Sequence, residues 1–323
     1  MLDFCRTAAL AFATWTTLVT AANAQSWPTR PIKMILPFGG GGPGESIMRP
    51  MIEHLQKVLG QGVIVENRPG AGGTTGAAAV ARSDPDGYTL IYGTNSPLSV
   101  GPVVYAKAGY TAASFVPIAL IYQTPFVVSV SIKTGVGSMA ELVEAARRAP
   151  EKFSYASVGL GTTTHMLAEM INIKAATSMA HVPYRGPSLA IADLVAGQIQ
   201  LFIDGISNMA PQHDAGAVKT LMVLDTKRAA TLPSVPTSAE AGFPGMVAYL
   251  WSGVAAPAGT PREIVELLNR EINIAIDKPE LKATAAKLGL EVMGGPPERL
   301  GERIEKETAV WREVAEKAKV RID

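Results

Sequence analysis

A single cysteine, Cys5, occurs in the 323 residues, and it falls inside the N-terminal segment read below as an export signal. A mature chain would carry none, which excludes disulfides and thiolate metal sites. An excess of charge of either sign is missing too: 29 basic against 28 acidic side chains leave a formal net charge of +1, with no basic block along the chain. Without such a field, nucleic acid and anionic membranes are not expected partners. The four histidines, His54, His165, His181 and His213, show no metal-ligand spacing, and neither G-x-S-x-G nor H-E-x-x-H occurs. No metal, no cofactor and no catalytic residue is assigned, and an enzyme is not expected.

What is present is apolar and patterned. With 47 % hydrophobic and 18 % charged residues the chain is long enough for one large or two medium domains with real cores. Arg6, the apolar stretch from Ala8 to Val19 and Ala22-Asn23-Ala24 read as a secretory signal cleaved after Ala24, before Gln25. The apolar run stops short of the roughly 20 residues a spanning helix needs. Export to the periplasm is the expectation.

From Gln25 onward short apolar runs alternate with helical stretches, the rhythm of an α/β protein with a mainly parallel sheet. Two apolar segments, Val116–Tyr122 and Phe126–Val130, follow one another across Gln123-Thr-Pro125 with no helix between them, as in a chain crossing from one domain to another. The rhythm then restarts, and Tyr249–Ala256 reads as the return. The predicted organisation is residues 25–124 plus 254–323 as one lobe and 125–253 as the other, after a signal peptide over 1–24. Small ligands sit in clefts between such lobes.

Two loops carry the candidate chemistry. Ile32–Leu36 reads as a strand and Glu45–Leu59 as a helix, and Gly39–Gly44 between them formally satisfies G-x-G-x-x-G. Where a strand turns into a helix through glycine, orphan N–H groups and the positive helix end converge on a site suited to an anion. The same loop admits a nicotinamide-cofactor reading, with Glu66 ending the next strand where a ribose-binding acid belongs. Two features oppose it: the turn holds more glycine than it needs, and an exported protein meets little free NAD. No Gly-Lys-Ser/Thr follows, which excludes a P-loop.

The downstream loop Ser157-Val-Gly-Leu-Gly-Thr-Thr-Thr-His165 repeats the device with hydroxyls added. One of Thr162, Thr163 and Thr164 suffices to cap the next helix, and the surplus of hydroxyls beside glycine suits a carboxylate. His165 is read as structural. Thr94-Asn-Ser96 and Asp204-Gly-Ile-Ser-Asn208 end two further strands on the side of the sheet where ligands bind. Asp204 either caps the helix after it or holds water or a ligand hydroxyl.

In order along the chain, Pro37-Phe38 with its glycine loop, Glu66-Asn-Arg-Pro-Gly-Ala-Gly-Gly73, Asp84-Pro-Asp-Gly-Tyr-Thr-Leu90 and Tyr155-Ala-Ser-Val-Gly-Leu-Gly-Thr162 are followed by His181-Val-Pro-Tyr-Arg-Gly186 and Leu232-Pro-Ser-Val-Pro-Thr-Ser-Ala-Glu-Ala-Gly242. Together they resemble the successive signatures of the Bug (TctC-like) extracytoplasmic solute receptors, the binding components of tripartite tricarboxylate transporters. The resemblance implies a two-lobed, type II-like periplasmic binding fold that closes on a small carboxylic acid and acts as a monomer with membrane transporter subunits as partners. By motif match the first-lobe contacts are Phe38, Gly39, Gly40, Gly41, Gly42, Pro43, Gly44, Thr94, Asn95 and Ser96. Those of the second lobe are Ser157, Gly159, Gly161, Thr162, Thr163 and Asp204. The chain departs from the family pattern at Gly39 and Gly40, which stand where prolines are usual, and at Glu45, which stands for an Asp.

Overall fold

A computed structural model describes residues 27–39 and 42–323. The signal-peptide reading, Cys5, Gly40 and Gly41 lie outside the described residues. The first lobe opens with β1 (Ile32–Leu36), α1 (Glu45–Leu59), β2 (Val63–Asn67), α2 (Thr74–Ala81) and β3 (Thr89–Thr94). A π-helical turn, Ser96–Val100, runs into α3 (Gly101–Val104), and β4 (Phe115–Ser131) follows. The second lobe comprises α4 (Met139–Arg148), β5 (Ser154–Ser157), α5 (Thr163–Ala175), β6 (Ala180–Pro183), α6 (Pro187–Ala196), β7 (Leu201–Gly205), α7 (Ile206–Asp214) and β8 (Val218–Val223). The chain returns through β9 (Tyr249–Pro257) to α8 (Arg262–Ile276), α9 (Pro279–Lys287), β10 (Glu291–Val292) and α10 (Glu298–Ala318).

Strand order is β2-β1-β3-β9-β4-β7-β5-β6, with β8 and β10 also pairing to β4. Each half is parallel, β1 with β2 and β3, β5 with β6 and β7, while β4 and β9 run antiparallel through the middle. The gap expected at Gln123-Thr-Pro125 closes into one 17-residue strand. Proline is tolerated there because Pro125 sits where β4 exchanges partners, opposite Tyr249 of β9 and just before Phe126 pairs with Gly205 of β7. One helical segment goes beyond the sequence reading: Ser96–Val104 contains Pro97 and Pro102, both in first turns where a missing N–H costs nothing. The helix expected after Asp204 forms as α7 and carries Pro211 in its interior.

Alternation along the strands sets the cores. In the first lobe Met34, Leu90 and Tyr92 pack under α1, α8 and α9, while Ile35 and Ile91 face α2 and the first half of α10. In the second, Val128, Tyr155 and Ile203 pack against α4 and α5, and Val127, Ala156 and Phe202 against α6 and α7. Helix α10 serves both lobes: Leu300 and Ile304 enter the first core, Trp311, Val314 and Ala315 the second. Burying each large apolar side chain contributes about 1.5–3 kcal/mol.

Candidate functional site

The two strand-to-helix loops are built differently. In the first, Gly39 and Gly42 are exposed, and a methyl at either would meet nothing within 4 Å. Gly44 is the opposite case, since a Cβ there would lie 2.3 Å from the Tyr122 hydroxyl, so the close approach requires glycine. The N–H groups of Glu45 and Ser46 donate to the Gly42 and Pro43 carbonyls at 3.0 and 3.1 Å. The first donors of α1 are thus turned back onto the loop, and its positive end remains through the helix dipole. Asn67 holds the loop from the side, its amide donating to the Phe38 carbonyl at 2.8 Å. Arg68 pairs with Glu66, and Arg49 with Glu45 at 3.2 Å.

The second loop is closed on itself. Ser157 is fully buried; its hydroxyl accepts from Gly159 N–H at 3.1 Å, donates to the Gly159 carbonyl at 2.9 Å and contacts His181 Nε2 at 2.6 Å. Thr162 donates to the Gly159 carbonyl at 2.7 Å and pairs with Thr164, which accepts from Val158 N–H at 3.0 Å. The hydroxyls that look surplus in the sequence therefore have partners within the loop. Thr163 reaches across to the other lobe: its N–H donates to Ser96 Oγ at 3.1 Å, and the two hydroxyls lie 3.0 Å apart. Ser96, 67 residues away in sequence, thereby caps α5. Gly161, at φ +65°, packs against Val104, Tyr105 and Ile322.

Behind this loop three rings stack. His165 and His181 lie 4.0 Å apart between centroids, and Tyr155 covers His181 at 5.0 Å. Gly161 N–H donates to His165 Nδ1 at 3.2 Å. Burial, reinforced for His165 by the neighbouring His181, depresses both imidazoles to about 4, so the pair is neutral at pH 7.

The floor of the crossing is a set of hydroxyls that sequence reading missed. Ser252 donates to the Tyr92 hydroxyl at 2.9 Å and also engages Tyr122. Burial raises Tyr92, and it pushes Tyr122 up to about 12, with the nearby Asp204 charge adding to the latter shift. Tyr122 and Ser252 stand opposite each other in the β4/β9 ladder, and Thr94 of β3 faces Ser252 from the other side. Asp204 is 4 % exposed and accepts from Asn208 Nδ2 at 2.8 Å. Burial raises it to about 6, against the lowering effect of Asn208 and the Gly205 N–H. Asn95 is buried, its amide nitrogen donating to the Tyr249 carbonyl at 3.1 Å while Oδ1 has no partner among the described residues. The structure thus gathers Gly44, Thr94, Asn95, Ser96, Thr163 and Asp204 around the crossing, while Thr162 is engaged inside its own loop and Ser157 and Gly161 pack on His181 and on Val104, Tyr105 and Ile322.

Residues 47–320 match the family described as the tripartite tricarboxylate transporter family receptor. The chain belongs to this family. As a tripartite tricarboxylate transporter receptor it is a periplasmic solute-binding protein rather than an enzyme, and the nicotinamide reading of the first loop falls. Three solved structures of similar proteins share its two-lobed α/β architecture. The periplasmic binding protein BugD is 32 % identical with a TM-score of 0.83, over 92 % of this chain and all of that one. Rpa4515 of R. palustris with adipate is 34 % identical with a TM-score of 0.84 over the same shares. MatC from Rhodopseudomonas palustris with bound malate is 30 % identical with a TM-score of 0.83, over 89 % of this chain and 99 % of that one.

Proposed function

We propose that this receptor captures a small carboxylate between its lobes and delivers it to the membrane subunits of a tripartite tricarboxylate-type transporter. The reading is supported by two strand-to-helix turns, one from each lobe: at the start of α1 Gly44 abuts Tyr122 of β4, and at the start of α5 Ser96, beyond the end of β3, caps Thr163. In this reading the two positive helix ends face one gap, which suits an anion with two acidic ends. The adipate and malate held by two similar proteins agree with that chemistry. Each helix-end contact contributes about 0.3–1 kcal/mol when exposed and up to ~2 kcal/mol when partly buried. Micromolar capture, about 8 kcal/mol, therefore takes several charge-assisted hydrogen bonds made together.

In this reading the lobes are residues 25–124 plus 254–323 and 125–253, the mature monomer begins at Gln25, and hinge closure over the ligand is the working motion. Phe38 to Gly44 and Thr94 to Ser96 supply one side of the cleft. Ser157, Gly159, Gly161, Thr162 and Thr163 shape the other, and Asp204 lines its floor. Thermal denaturation of the 25–323 protein with a panel of organic acids, using NAD and neutral sugars as controls, tests the proposal. Stabilisation by several degrees with one acid or a related set, at one-to-one stoichiometry by calorimetry, is the expected result. A shift with NAD alone, or with no acid, overturns it.

A further inference from the structure

Strands β9 and β4 join the two parallel halves of the sheet, and their two faces are held by different partners. Successive residues on a strand face opposite ways. Tyr122, opposite Ser252 in the ladder, lies in the core under α1, whereas Trp251 lies in the core that receives Leu300 and Ile304 of α10. Gln123 and Trp251 are themselves opposite each other in that ladder, and α10 grips both. Arg303 Nη2 donates to Gln123 Oε1 at 2.7 Å, and Trp251 Nε1 donates to Glu307 Oε1 at 2.7 Å. Arg303 and Glu307, one helical turn apart, close the ring, with Nη1 3.7 Å from Oε1.

This grip depends on one negative charge. Glu307 Oε2 is shut off from solvent and has no hydrogen-bond partner among the described residues, and neither has Trp311 Nε1, one turn further on. While the carboxylate is ionised, Arg303 is its counterion; once it is protonated, the guanidinium is free to turn to water, to which it is already 24 % exposed. Burial raises Glu307 to about 7, against the lowering effects of the Trp251 N–H and the Arg303 charge. The other elements packed on α10 leave this balance to Arg303. From α5, Lys174 faces Glu313, Glu169 bonds Tyr155 and His165 lies in the ring stack. Ser96–Val104 and Ala112–Ser114 carry no ionisable group. Glu291 of β10 accepts from Gln123 at 2.7 Å, and Tyr249 of β9 lies beneath the Arg303 guanidinium.

Building on the reading that the lobes close over a carboxylate, we infer that Arg303 and Glu307 are positioning residues for capture: with Glu307 ionised they clamp β4 and β9 from the α10 side and fix the strands that carry Tyr122 and Ser252, and protonation of Glu307 releases the clamp and weakens binding. A strand pair that is no longer held costs more to order around a guest.

Hydrogen exchange of the ligand-free 25–323 protein reads the clamp. After correction for the intrinsic rate, the β4 amides around Gln123 and the β9 amides around Trp251 should exchange at least about threefold faster at about pH 6.5 than at about pH 8.5. Glu307→Gln should exchange fast at both. Calorimetric titration with succinate, glutarate, adipate and L-malate reads the consequence. The acid that binds best should bind at least about threefold more weakly at the lower pH, and Glu307→Gln should show the weaker value at both. Because the amide keeps an acceptor for Trp251 and removes a buried charge, Glu307→Gln should melt no lower than the wild type at about pH 8.5. If Glu307→Gln does not fold, Arg303→Gln takes its place and should likewise behave at both pH values as the wild type does at the lower. Affinity lost together with melting temperature makes Glu307 a residue of the fold alone. That outcome, exchange independent of pH, or the same pH response in variant and wild type overturns the inference and leaves the receptor reading standing. Binding of no organic acid overturns both.

Discussion

The loop Gly39–Gly44 and the loop Gly159–Thr164 both carry a strand into a helix through glycine, and what separates them is the company their glycines keep. Around Gly39 and Gly42 there is open space, while Gly161 touches three side chains, Thr162 and Thr164 pair with each other, and Ser157 bonds Gly159 and His181. Side chains therefore hold the second loop in one arrangement, whereas a glycine loop without such contacts costs more entropy to order around a guest.

The comparison breaks most readily at Gly161. Alanine there would place a Cβ 2.6 Å from Ile322 and 2.8 Å from Tyr105 at a positive φ. Gly161→Ala should therefore cost about 2–4 kcal/mol in urea denaturation, and a loss below about 0.5 kcal/mol would show the second loop to be as loose as the first. A subtler probe is the ring stack beneath that loop. The imidazole resonances of His165 and His181 should titrate near pH 4 rather than 6.5. Because both folded values are depressed, the stabilisation they contribute is present above pH 6.5 and lost as pH falls toward 4. Asp204 and Glu307 act with the opposite sign: burial raises them to about 6 and about 7, and their contribution fades as pH rises through those values. Titration of either histidine near 6.5 would mean that water reaches the stack. The smallest effect is expected at Gly42, where alanine meets nothing. Stability should stay within about 0.5 kcal/mol in the same urea assay, and a loss above about 1 kcal/mol would show the first loop to be packed after all.

Short apolar runs made β1, β3 and β7 legible, because these strands are buried on both faces. Apolar runs on both sides of Gln123-Thr-Pro125 marked two strand segments of the sheet's middle. That the crossing is one unbroken strand was hidden, since it depends on Pro125 meeting a change of partner that only the assembled sheet creates. Candidate loops were visible as glycine next to hydroxyls, but the use of each hydroxyl was not. Thr162, Thr163 and Thr164 all look like caps, and the cap that forms comes from Ser96 in the other lobe. Tyr122 and Ser252 are likewise joined only by the register of β4 on β9. No local pattern carries information of that range.

Helix α10 gives the molecule a property that its two-lobed outline conceals. Leu300 and Ile304 complete one core and Trp311, Val314 and Ala315 the other, so neither interior is finished without the same 21-residue segment. Shape and cooperativity then part company. The lobes divide the protein in space, but they should not divide its melting, because loosening this helix exposes apolar surface in both at once. Cutting the chain into its lobes would yield two fragments that each lack a wall, whereas the intact receptor should unfold as one unit.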